Sequence, residues 1–201
     1  PYTIHDEVRD VAAVMDATGL ESAHIYGRSR GGMLAQEFAL SQPARLRSLI
    51  LSGTTDHGPE STGSTERVER AMHFTAEMSR EEIFAAQDEA MASPGWRERD
   101  PAAFAYCLAA DLEAPPRRFA VQCQQAAFAD WTSHGRLASI TAPTLVLCGE
   151  DDGMVPPENS RRLARTIPGA RLELIPQCGH LPMLEQPEAV AQAVFGFLGV
   201  Q

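Results

Sequence analysis

Ala23-His-Ile-Tyr26, followed at once by Gly27-Arg-Ser29-Arg-Gly31-Gly32, is the stretch that decides the fold. A short apolar run enters Gly-x-Ser-x-Gly. Behind it Leu34 and Phe38 recur at helical spacing until Pro43 bars continuation. A strand that becomes a helix through this pattern is the setting of a nucleophile elbow. The serine backbone takes a strained turn there, and side chains two positions to either side would clash, so glycine is expected at 27 and 31. The turn lifts the Ser29 hydroxyl clear of the sheet and aims the N–H of the next residue, Arg30, at a developing oxyanion.

Working outward, Thr3-Ile-His-Asp6 reads as a helix cap. Ile4, Val8, Val11 and Met15 follow at helical spacing, and Gly19 is the stop. Leu46 to Leu51 is a near-continuous apolar strand ending in Ser52-Gly53. Such strands alternating with helices predict a parallel sheet covered on both faces. Residues 54–64 are rich in Thr, Gly, Ser and Pro and read as a linker. From about 65 to 132 the pattern is helical throughout: Ser79-Arg-Glu-Glu82 is a capping box, Asp100-Pro101 an N-cap with proline at the first helical position, and Pro115-Pro116 opens another helix. The alternation then resumes with a strand at 144–148, a helix at 158–167, a strand at 172–175 and a closing helix at 187–198 with Val190, Val194 and Phe197 inward. The division expected is 1–60 and 136–201 as α/β core, with 61–135 inserted as a helical cap.

Composition bounds the function. At 201 residues the chain suits one ordinary domain, with a core large enough to need no disulfides. A formal charge of −10 argues against nucleic acid and anionic membrane surfaces, and no apolar run nears a membrane span. All 17 basic residues are arginine, which excludes Schiff-base lysine chemistry, a serine–lysine dyad and a Walker phosphate loop. Cys107, Cys123, Cys148 and Cys178 lack paired C-x-x-C spacing, so no zinc site is expected, and a reducing, cytoplasmic compartment fits.

Two more loops bear on the chemistry. The strand ending at Cys148 runs into Gly149-Glu-Asp-Asp152-Gly-Met-Val-Pro156, and the last strand into Pro176-Gln-Cys-Gly-His180-Leu-Pro182. Ligand sites of open α/β sheets lie beyond the carboxyl ends of the strands. A serine, an acid and a histidine therefore share one edge, in the chain order of an α/β-hydrolase triad. A serine hydroxyl needs an imidazole as base, and the imidazole needs a carboxylate to fix its tautomer. Each residue also has a bland reading: Ser29 as a turn serine, the acids as solvated loop residues, His180 as a surface histidine. His24 sits in a strand with no partner suggested, Glu185 reads as favouring the N-terminal end of the following helix, and Cys178 as packing.

These segments, with Thr144-Leu-Val-Leu-Cys-Gly149 and Gly179-His180-Leu-Pro-Met-Leu-Glu185-Gln-Pro187, resemble the lid-bearing α/β-hydrolase superfamily of enol-lactonases, methylesterases and carbon–carbon bond hydrolases. The resemblance implies an α/β-hydrolase fold, mostly parallel sheet with a helical cap, and a triad of Ser29, His180 and Asp152. Asp151 is the second candidate for the acid and Asp56 a distant third. It implies hydrolysis of a small-molecule ester or lactone through an acyl-enzyme, with no cofactor. The alternatives are carbon–carbon hydrolysis by the same triad, or a non-catalytic binding protein that keeps the pocket, as in the family's plant hormone receptors. Two features depart from the pattern. Arg28 and Arg30 flank the serine where neutral residues are usual; the readings are recognition of a substrate carboxylate or other anion, or an arginine that pairs with a nearby acid or reaches solvent. The family's preceding strands and its second oxyanion donor are not in this sequence. The first strand is thus expected at an edge that a preceding segment, a second copy or another subunit completes.

Overall fold

The computed structural model describes residues 2–115 and 117–200, Arg118 through its backbone alone. The described chain divides into two compact units. The first comprises, among the described residues, 2–61, 118–147 and 158–173. In it α1 (Ile4–Ala17) starts at a complete capping box between Thr3 and Asp6, as its sequence predicts. β1 (Ala23–Arg28) leads through Ser29 into α2 (Arg30–Ser41), and β2 (Leu46–Ser52) follows. β1 pairs parallel with β2, His24 opposite Ser48 and Arg28 opposite Ser52. β2 pairs parallel with β3 (Thr144–Gly149), Leu49 opposite Thr144 and Ser52 opposite Leu147. The strand order is β1-β2-β3-β4, with β4 at Arg171–Ile175 and β1 at one end.

The apolar strands are buried because helices cover them. Val8 and Met15 of α1, Phe38 of α2, Leu49 and Leu51 of β2, Val146 of β3, and Leu163 of α8 (Pro157–Thr166) belong to one cluster. His24 finds a partner that its local sequence does not announce: its Nδ1 lies 2.7 Å from Ser48 Oγ, the residue opposite it in the β1–β2 register. Glu37 is buried on α2, yet Arg136 Nη2 and Trp131 Nε1 each donate to it at 2.9 Å. Burial raises such a carboxyl, but these donors outweigh it and hold Glu37 below the ordinary range.

The second unit comprises 62–117, 148–157 and 174–200 among the described residues. It holds α3 (Glu66–Ala71), α4 (Arg80–Met91), α5 (Trp96–Arg99), α6 (Pro101–Glu113), α9 (Pro182–Glu185) and α10 (Pro187–Leu198). α7 (Arg118–Phe128) belongs to the first. The capping box at Ser79–Glu82 and the Asp100 N-cap form as expected. Pro116 lies outside the described residues, and the helix beyond it begins at Arg118. Trp96 and Phe104 meet edge-on at 6.0 Å and pack with Ala92 and Leu181. Among the described residues no helix is long and apolar enough to cross a membrane.

Candidate active site

Ser29 occupies the turn between β1 and α2 with φ 53° and ψ −123°. That backbone is sparsely populated for a residue with a Cβ and costs on the order of 1–3 kcal/mol. It persists because its neighbours fix it. The Ser29 N–H donates to Ser52 O at 2.8 Å, and its carbonyl accepts from Gly32 N at 2.9 Å and Thr54 Oγ1 at 2.7 Å. Gly27 is required as predicted, since a Cβ there would lie 2.3 Å from Gly31 O. The expected clash at Gly31 is corrected: outside its own helix a Cβ there meets nothing within 4 Å. The second cramped glycine is Gly32, whose Cβ would approach Thr54 to 2.6 Å. The chain passes so close because Thr54, just past β2, bonds back to Ser29. Arg30 opens α2, so its N–H has no acceptor within the helix. Its guanidinium lies 5.5 Å over the Phe128 ring. Arg28 is the last residue of β1 and half-buried.

The acid and histidine loops lie in the second unit. Asp152 and His180 are both buried, and His180 Nδ1 lies 2.8 Å from Asp152 Oδ2. Asp152 Oδ1 accepts the N–H groups of Met154 at 3.0 Å and Val155 at 2.8 Å, which fix the carboxylate's orientation. A carboxylate only accepts, so the shared hydrogen sits on Nδ1, and Nε2 is left as the basic nitrogen. The two loops approach closely because Gly149 has no side chain: a Cβ there would lie 2.1 Å from Cys178 O. Asp151 is exposed, with its N–H bonded to Cys178 O at 2.9 Å. Asp56 is buried, but Arg162 Nη2 at 2.5 Å, Ser61 Oγ at 3.0 Å and Gly58 N at 3.1 Å engage it. Burial pushes its carboxyl up, and Arg162 with the other donors brings it below the ordinary range. The structure thus brings Asp152 to His180, and neither Asp151 nor Asp56.

The expectation that Glu185 serves the N-terminal end of the following helix is corrected: its side chain turns back to the histidine loop. Its carboxylate accepts backbone N–H groups on both sides of His180, from Gly179 at 3.0 Å and Leu181 at 3.2 Å. Only the short spacing to His180 could have hinted at it. Cys178 is buried, and burial drives its thiol well above the ordinary range, against a thiolate role. Among the described residues no three His, Cys, Asp or Glu side chains gather as a metal-ligand set.

Comparison with known proteins agrees with the fold. A family model described as alpha/beta hydrolase fold matches residues 1–187. A 2-hydroxy-6-oxo-6-phenylhexa-2,4-dienoate hydrolase of Comamonas testosteroni is 30% identical, over 94% of this chain and 67% of its own length. A 2-hydroxy-6-oxononadienedioate/2-hydroxy-6-oxononatrienedioate hydrolase of Cupriavidus pinatubonensis is 31% identical, over 95% of this chain and 67% of its own. The structure of a thermophilic esterase from Thermogutta terrifontis superposes with a TM-score of 0.79 at 31% identity, covering 98% of this chain and 72% of that one. The chain thus spans about two thirds of the length of the two dienoate hydrolases.

Proposed function

We propose that this chain, which belongs to the alpha/beta hydrolase fold family, is a serine hydrolase acting on a carboxylic ester or lactone through Ser29, His180 and Asp152. Ser29 Oγ attacks the carbonyl carbon while His180 Nε2 takes the hydroxyl proton. Asp152 holds the imidazole in the Nδ1–H tautomer and stabilises the imidazolium that forms. The Arg30 N–H donates to the oxyanion. Collapse breaks the bond to the leaving alcohol, which departs with the proton from His180. Water then gives a proton to Nε2 and attacks the acyl-enzyme, and Ser29 leaves as the hydroxyl when His180 returns the proton.

The observation that carries this reading is the buried 2.8 Å bond from His180 Nδ1 to Asp152 Oδ2, which leaves Nε2 as a base. The strained Ser29 turn supplies a nucleophile of the type that base requires. A second reading, hydrolytic cleavage of a carbon–carbon bond in a dienoic acid, is favoured by the two relatives named for such substrates. The test is turnover of p-nitrophenyl butyrate and of a 2-hydroxy-6-oxo-dienoate by wild type and Ser29→Ala. Ester turnover lost in Ser29→Ala supports the first reading. Dienoate cleavage at much higher kcat/KM than the ester, also lost in Ser29→Ala, favours the second. No turnover of either by wild type contradicts both and favours a binding protein.

A further inference from the structure

The three consecutive N–H groups around the histidine are all engaged, and one carboxylate takes two of them. Glu185 closes the four-residue helix α9 and its side chain turns back over the loop. Oε1 accepts from Gly179 at 3.0 Å and Leu181 at 3.2 Å. Oε2 accepts from Gly179 at 3.0 Å and, 92 residues away in sequence, from Ser93 at 2.8 Å. Between those two loop residues, the His180 N–H donates to Met91 O, at the end of α4, at 2.7 Å. The loop is drawn tightly to that helix end. A Cβ on Gly179 would lie 2.5 Å from Ser93 N, and Gln177 is forced to φ 51°. Arg67 donates to the carbonyls of Glu89, Ala90 and Ala92, which fixes the helix end itself.

We infer that Glu185 is a positioning residue for His180: it locks the 179–181 backbone onto the end of α4 and so sets where Nε2 points. The inference rests on the reading of His180 as the general base. Asp152 fixes one side of the ring, but the ring's origin is its backbone, and among the described residues only Glu185 holds the N–H groups on both sides of it. Without the carboxylate, three buried or nearly buried N–H groups lose their acceptor, and the loop shifts to find others. A displacement of about 1 Å at a catalytic group costs on the order of 10²-fold in rate.

The experiment compares wild type, Glu185→Ala, Glu185→Gln and Ser29→Ala in the full chain, well below each variant's unfolding temperature. It measures kcat and KM for p-nitrophenyl butyrate, and the downfield proton resonance of His180 Nδ1–H. Glu185→Ala is expected to lower kcat by 10- to 100-fold with KM within about twofold, and to shift or broaden that resonance. Glu185→Gln keeps one acceptor oxygen and should fall between. A Glu185→Ala protein with wild-type kcat, an unchanged resonance and only a lower unfolding temperature overturns the inference. Should Glu185→Ala fail to fold, Glu185→Gln decides: wild-type kcat overturns it, and an intermediate loss with an altered resonance supports it. Ser29→Ala retaining full turnover would instead overturn the serine reading, and the positioning role with it.

Discussion

At the scale of single residues, two adjacent aspartates have opposite surroundings. Asp152 is buried, accepts two backbone N–H groups and meets His180, whereas Asp151 is exposed. Asp152→Asn offers an amide where the imidazole needs an acceptor, so the wrong tautomer is favoured. Turnover should fall by on the order of 10⁴, as loss of the orienting acid does in serine proteases. Asp151→Asn should change kcat less than about twofold. Steady-state kinetics of the two variants check the ranking, and the reverse order would place the acid one residue earlier. The sequence alone left these neighbours open, and resemblance to a family chose between them. It could not show Glu185 bonding to Ser93, because a contact between residues so far apart leaves no trace in local pattern. Gly31 shows the opposite error: the motif names it, but the cramped position is Gly32, against a threonine from another strand's end.

Elements were more legible than contacts. The apolar run Leu49-Ile-Leu51 of β2 is buried on both faces, and that demand is written in the run itself. Capping boxes at Thr3 and Ser79 are equally local, since both partners lie within one turn. What the helical pattern does not reveal is polar residues turned inward. Asp88 lies on α4 and is only 3% exposed, with no hydrogen-bond partner for Oδ2 among the described residues. Burial, and after it the charge of Asp111 on α6, pushes its carboxyl up to about 6. Folding therefore tightens proton binding at this site. Its contribution to stability is full below about pH 4, falls as pH rises toward 6, and is flat beyond. Asp88→Asn removes the charge. Relative to wild type the variant should gain on the order of 1–3 kcal/mol between pH 4.5 and pH 7.5, read from urea unfolding at both. An equal difference between the two proteins at both pH values would show that Asp88 ionises without penalty.

Across the whole molecule, the proposed chemistry draws on both compact units. Ser29 belongs to the first, and Asp152 with His180 to the second. The central claim is that the three act as one catalytic set. Residues that act as a unit reveal it by dependence: removing the base should disable the nucleophile, although the serine itself is untouched. The most direct measurement is intact-mass spectrometry of the chain treated with a fluorophosphonate, with the modified residue mapped, in wild type and His180→Ala. Wild type should take up one adduct, on Ser29, and His180→Ala should label at least 10³-fold more slowly. Labelling of Ser29 at the same rate in both, or an adduct on any other residue, would contradict the account.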